Sequence, residues 1–190
     1  FGTSTTYETF SKEELSVEIK AEDSGSGIAS VQYYMAFGVI PNVSDIHGWT
    51  DYAEAITLDL DRTYVIYVKV TDKGGNEVIQ NSEGIVVYAE SVITPTSFSR
   101  EYGEENDLSV NISANGNTFA NLTDGSGNEI ATENYSIAGS TLTIKGEYLS
   151  DLDVGEYTYK ICMNPQGVET TAVALSYGFT INVEKRTLTV

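Results

Sequence analysis

The sequence predicts an all-β chain of two consecutive Greek-key β-sandwiches, and three observations carry the prediction. Apolar residues alternate with polar ones in many short runs, and no stretch shows the period of a long amphipathic helix. Turn signals rich in glycine, DSGSG, DKGGN, ANGN and DGSGN, punctuate those runs. A tyrosine also follows a turn with similar spacing twice. Asp153-Val154-Gly155-Glu156-Tyr157 has the D-x-G-x-Y pattern of a tyrosine corner, in which a phenolic hydroxyl ties the start of a strand to upstream backbone, and Leu60-Asp61-Arg62-Thr63-Tyr64 repeats its logic. Two corners mean two sandwiches of immunoglobulin-like kind, at residues 1–90 and 91–185, with 186–190 as the start of a following repeat that is cut short. Tyr64, Asp153, Gly155 and Tyr157 are thus expected to be structural residues.

The first ten residues are polar and threonine-rich, a lead-in or an edge strand. In residues 15–21, Leu15, Val17, Ile19 and Ala21 alternate with Ser16, Glu18 and Lys20, which makes a strand with one buried face. The acids and glycines of 22–27 reverse the chain into a strand over 28–35 that carries Val31, Tyr33 and Met35 on one side. Residues 37–48 are irregular, broken by Pro41, Asn42 and Asp45, and lead to the single tryptophan, Trp49. Ile56, Leu58 and Leu60 alternate next. After the corner, Tyr64, Ile66, Val68 and Val70 face inward, and the turn at 72–76 closes a hairpin onto a last strand at 84–88.

Residues 89–96 lack alternation, contain Pro95 and read as a short linker. Leu108, Val110 and Ile112 then alternate. Asn115-Gly116 suits a turn with positive φ leading into 118–123, and 124–128 is a second such turn. Tyr135 and Ile137 open a strand, Leu142 and Ile144 alternate in the next, and Tyr148, Leu149 and Leu152 are spaced as one helical turn. Beyond the corner, Tyr157, Tyr159, Ile161 and Met163 repeat every two residues, and 177–183 forms the final strand.

The net charge of −18 arises from 28 acids against 10 bases and is spread over both halves. Such a surface repels nucleic-acid phosphate and anionic lipid, so neither is an expected partner. No apolar run approaches membrane length. The single cysteine, Cys162, excludes an internal disulfide and reads as a half-buried structural thiol beside Thr158 and Lys160. The single histidine, His47, lies in the other half, so no nucleophile and base pair up, and adjacent acids such as Glu104-Glu105 mean little in so acidic a chain. A non-catalytic, monomeric protein without a cofactor is expected.

Two ligand sites are worth naming. Trp49 is either a sugar platform at the end of a loop or a plug between the two sheets, and its large burial favours the plug. If the first module does stack a sugar, the candidates are Tyr34, Trp49, Tyr52 and Tyr67, of which Tyr34 and Tyr67 alternate away from their expected core. Calcium is the one metal with a case. Glu22 and Asp23 end one strand, Asp72 and Asn76 belong to a later turn, and at one pole they offer hard oxygen ligands. Neither segment has the D-x-[DN]-x-[DN]-G pattern, and acids in glycine-rich turns commonly serve the turn itself.

The segments DSGSGIASV at 23–31, WTDY at 49–52 and TYVIYVKVTDKGGNE at 63–77 resemble the Ig-like repeats of large bacterial surface and secreted proteins. Over residues 98–184, DLSVNI, the Asn115-Gly116-Asn117 turn and ENYSIAGSTLTIK followed by Tyr148-Leu149 and Gly155 resemble the X2 module, an Ig-like domain found beside cellulases and in cellulosomal scaffolds. The sequence departs from that module in having Asn134 where an aspartate is usual before Tyr135, and in a longer, more polar 164–171. The KRTLTV end is similar to the start of another bacterial Ig-like repeat. The resemblance implies an attachment or spacer role, with polysaccharide or cell-wall contact in some members, and transfers no binding residues. The expected function is therefore a non-catalytic spacer or adhesion segment of a large secreted or wall-attached bacterial protein, Gram-positive in origin. The alternative is a carbohydrate-binding module. Expected partners are neighbouring modules of the same polypeptide and a polysaccharide or cell-wall glycan.

Overall fold

Short alternating segments become strands throughout the computed structural model, which describes residues 7–37, 42–168 and 175–186. They assemble within two units, Phe1–Ala89 and Glu90–Val190. The first contains β1 (Tyr7–Ser11), β2 (Leu15–Val17), β3 (Ile28–Ala36), β4 (Thr50–Asp51), β5 (Ile56–Leu58), β6 (Arg62–Asp72), β7 (Glu77–Asn81) and β8 (Gly84–Val87). One sheet runs β1-β8-β6-β3-β4, with β7 also paired to β6, and the other is the β2-β5 pair. β1 runs parallel to β8 and the other pairings are antiparallel. Leu58, Tyr64, Ile66 and Val87 lead the core between these sheets, with Leu15, Val17, Tyr33, Met35 and Val68 packed against it.

The second unit contains β9 (Val92–Thr94), β10 (Ser97–Glu101), β11 (Leu108–Ser113), β12 (Thr118–Asp124), β13 (Tyr135–Ala138), β14 (Thr141–Ile144), the short helix α1 (Gly146–Ser150), β15 (Gly155–Asn164) and β16 (Leu175–Glu184). Its sheets are β13-β14-β11-β9 and β10-β16-β15-β12, so the chain changes sheets between β9 and β10, on either side of the cis Thr94-Pro95 bond. This is the order of an immunoglobulin-like sandwich. Val110, Leu122, Leu142, Ile144, Ile161 and Ile181 are fully buried between the sheets, with Tyr159 and Phe179 stacked at a centroid distance of 5.7 Å. At the β11–β12 crossing, Asn115 (φ 49°) and Gly116 (φ 87°) make the tight turn, and Asn117 N–H closes it on Ala114 O at 3.0 Å.

Several sequence expectations need correction. The strand at 15–21 is laddered only over β2, because its partner β5 ends after three residues; beyond it Ile19 N–H turns to the Tyr52 hydroxyl at 3.1 Å. Leu60 is 38 % exposed and does not continue the inward face of Ile56 and Leu58. The hairpin at 72–76 leads first to β7, which the reading of a single last strand omitted. The register steps by one residue between Asn81, opposite Tyr67, and Ile85, opposite Tyr64, and Ser82 bridges the step through both its N–H and its hydroxyl to Ile66. Residues 89–96 are not a linker: Ser91 and Ile93 are buried, and β9 pairs with β11. Cys162 is buried rather than half-buried, 4.0 Å from the Thr123 hydroxyl. Of the expected repeat start at 186–190, residues 187–190 lie outside the described residues, as do residues 1–6 of the lead-in.

Candidate functional site

The corner tyrosines stand where their chemistry requires. Tyr64 donates its hydroxyl to Asp59 O at 3.0 Å, and Tyr157 donates to Asp153 O at 3.1 Å, with Gly155 at the start of β15 between them. Burial, followed by the charge of Asp59, raises the Tyr64 pKa, so the hydroxyl stays a donor.

The proposed sugar aromatics do not form one platform. β3 and β6 are apolar on both faces, and the outer face carries a second cluster of Ala36, Ile46, Val65 and Tyr67, against which Tyr34, Val43 and Trp49 pack. Tyr67, opposite Tyr34 in the ladder, is only 1 % exposed and offers no ring to a ligand. Trp49 does not plug the space between the sheets. It lies half-buried on this outer layer, with Lys69 Nζ 5.1 Å from its ring centroid. Tyr52 belongs to the inter-sheet core, edge-on to Tyr33 at 6.4 Å. Only Tyr34 and Trp49 therefore share a half-exposed surface.

The calcium candidates do meet at one pole. Lys73 N–H bonds Gly27 O at 2.9 Å, and Ser26 bonds the Asp72 carboxylate. Two of the four, Asp72 and Asp23, already accept hydrogen bonds within their own turns. Asp72 accepts from the backbone and side-chain nitrogens of Asn76, both at 2.8 Å, which holds its pKa down to about 2. Asp23 accepts from Gly25 N–H at 3.1 Å and from Gly27 N–H. Glu22 is exposed, and among the described residues no three His, Cys, Asp or Glu side chains gather as a metal group. The hydrogen bonds of Asp72 and Asp23 close their turns. Asp124 and Asn128 repeat the arrangement in the second unit at 2.9 Å for both contacts.

Beside that pole a groove of about 530 Å³ runs between the unladdered segment 18–23 and the inner faces of β6 and β7. Ile66, Val68 and Val70 line it, and Val78 on its rim is 59 % exposed.

Sequence reasoning passed over the outer face of the β13-β14-β11-β9 sheet. There Ser136 pairs with Thr143 and Thr143 with Ser109, while Thr141 pairs with Asn111 and Asn111 with Thr94. Ser109 and Thr143 hydroxyls lie 3.2 Å apart, and the Thr141 hydroxyl donates to Asn111 Oδ1 at 3.3 Å. The signal that could have marked them was the lack of charge at the outward positions of β9, β11, β13 and β14.

The chain is thus a tandem of immunoglobulin-like sandwiches, with His47 exposed in the first unit and Cys162 buried in the second. Residues 93–173 match the family "Carbohydrate binding domain X2", and the second unit is an X2-type Ig-like module. That family is one of non-catalytic binding domains. The chain is 33 % identical over 135 residues to "Cellulose-binding protein A" of Clostridium cellulovorans, a stretch covering 66 % of this chain and 7 % of that protein. Among solved structures, a tri-modular endo-β-1,4-glucanase from Bacillus licheniformis aligns at 14 % identity over 93 % of this chain and 37 % of its own, with a TM-score of 0.43. The fibronectin(III)-like modules of CbhA from Clostridium thermocellum align at 11 % identity over 96 % and 92 %, with a TM-score of 0.35. At these scores the fold rests on the strand order itself. No helix among the described residues is long and apolar enough to cross a membrane.

Proposed function

We propose that this chain is a non-catalytic polysaccharide-binding segment of a larger extracellular protein, in which the second unit holds the chain to a glycan. The observation that carries the reading is the match of residues 93–173 to a carbohydrate-binding domain, in a chain that is 33 % identical over 135 residues to a cellulose-binding protein. The core of the second unit is filled by its own side chains, which suits adsorption to a surface better than enclosure of a sugar in a cleft. The test is depletion of the 190-residue chain from solution by microcrystalline cellulose, with chitin and purified bacterial cell wall as parallel solids. Retention on at least one solid is expected. Recovery of all the protein in each supernatant would overturn the reading.

A second reading, a spacer between other modules of the same secreted or wall-attached polypeptide, is favoured by the burial of the candidate rings. Tyr67 is covered and Tyr52 is committed to the core, leaving no ring triplet to grip a chain. The depletion measurement separates the two readings, since a pure spacer is retained by no solid. Calcium is not required in either.

A further inference from the structure

We infer that the outer face of the β13-β14-β11-β9 sheet is the glycan-contact surface of the second unit, and that it takes the flat face of an ordered, uncharged polysaccharide. The inference rests on the polysaccharide-binding reading above and adds the place and the kind of ligand.

The first argument is charge. On a chain of net charge −18, the outward positions Thr94, Ser109, Asn111, Ser136, Thr141 and Thr143 carry none. The other sheet of the same unit presents Glu101, Glu156, Lys160 and Glu184 on its outer side. A neutral polymer laid on that second face would strip water from ions and return no counter-charge, an unfavourable exchange. Laid on the first face it meets no charge: hydroxyls and an amide, each able to exchange a bond to water for a bond to a sugar hydroxyl, beside the apolar side chains of Val92 and Ala138.

The second argument is geometry. The outward residues form two rows across the strands, Ser136-Thr143-Ser109 and Thr141-Asn111-Thr94. Neighbours in a row are set by the inter-strand spacing of about 4.8 Å, and the rows lie two residues, about 7 Å, apart along the strands. Nothing in the rows is taller than an asparagine, and the contacts Ser109–Thr143 and Thr141–Asn111 hold the side chains in place before any ligand arrives. The rows therefore present a low, regular field of donors and acceptors.

The third argument concerns the kind of partner. A protein interface is anchored by Trp, Tyr or Arg at its centre, and the rows contain none of these. Each hydroxyl contact is weak, so useful affinity requires many at once. An ordered solid surface supplies them together and a soluble oligosaccharide does not.

The experiment measures partition of the 190-residue chain onto microcrystalline cellulose for the wild type, Asn111→Arg/Thr143→Arg, Thr141→Val/Thr143→Val and the opposite-sheet control Asn182→Arg, with thermal melting of each. The expected result is at least a tenfold loss for the arginine pair, about a fivefold loss for the valine pair and no change for the control. Should the arginine pair fail to fold, the valine pair, which keeps shape and strand preference, decides. Equal adsorption of wild type and both face variants would overturn the inference while leaving polysaccharide binding intact, and so would a loss confined to Asn182→Arg. Adsorption of the wild type to no solid at all would remove the polysaccharide reading and this inference with it.

Discussion

The hydroxyl of Tyr64 reaches back five residues to the carbonyl of Asp59 at 3.0 Å, and Tyr157 makes the equivalent contact with Asp153 at 3.1 Å. The two latches differ in burial, since Tyr64 is 1 % exposed while Tyr157 is half-buried. Removing the hydroxyl should therefore cost more in the first unit. Tyr64→Phe is expected to lose about 1.5 kcal/mol and Tyr157→Phe about 0.5 kcal/mol, the two ends of the usual range for one hydrogen bond. Urea denaturation followed by Trp49 fluorescence reports on the first unit, and far-ultraviolet dichroism on both. An unmoved midpoint for Tyr64→Phe would remove the latch from the account of stability.

These corners were legible because a local turn pattern fixes them. In the second unit the inward faces were legible too, since Leu108, Val110 and Ile112 alternate with polar neighbours on a strand buried on one side only. In the first unit the same rule gave less. Alternation sets Tyr34 apart from Tyr33 and Met35, but nothing in it says that a further layer covers the outer face. That cover comes from Val43, Ile46 and Trp49, in a segment with no period of its own. Strand ends were lost where a partner ran out: Ile19 and Ala21 keep the pattern of a strand after β5 has ended. The rows on the outer face were invisible for another reason. Each residue is unremarkable in its own strand, and their shared neutrality exists only once segments from 92 to 144 lie side by side.

Gly146 explains how α1 is attached. Its N–H donates to Asp107 Oδ1 at 2.8 Å, and a Cβ at this position would sit 1.8 Å from Glu105 O and 2.3 Å from Glu105 C. Those are backbone atoms, so relief requires the 105–107 segment to move and the Asp107 contact to break. Gly146→Ala is expected to destabilise the second unit by about 3 kcal/mol, as overpacking at a backbone contact does. Gly127→Ala offers a comparison, because a Cβ there meets nothing and only its positive φ of 91° opposes the change. A melting temperature for Gly146→Ala equal to that of Gly127→Ala would contradict the close approach.

Asp72 gives stability a defined acid limb. The side-chain amide of Asn76, then its backbone N–H, favour the charged carboxylate and hold its pKa at about 2, below the ordinary value near 3.9. The unfolded chain therefore takes up the proton first as pH falls. The contribution is complete above about pH 4 and is lost as pH drops toward 2. Asp124 is lowered by the same contacts from Asn128, so both units should weaken in that window. The melting difference between wild type and Asp72→Asn should be present at pH 6 and vanish near pH 2; a difference that stays constant would refute the linkage. Because these oxygens already serve their turns, added calcium and added chelator should leave the wild-type melting curve in place, and a calcium-dependent rise would show that the turns open to bind an ion.

Trp49 separates a structural aromatic from a ligand platform. It covers Tyr67 and Val65 together with Ile46, and Lys69, which also lies 3.8 Å from Glu77, sits over its ring. Truncation removes that packing and the cation–π contact, the latter worth about 0.5–1 kcal/mol at an exposed site. Because the ring is only half-buried, Trp49→Ala is expected to cost about 2 kcal/mol, below the 3–5 kcal/mol of a core aromatic. The loss should appear in the melting of the first unit, with adsorption to cellulose unchanged below that transition. The opposite outcome, adsorption lost while melting is preserved, would move glycan contact from the serine and threonine rows of the second unit to the Tyr34–Trp49 surface of the first.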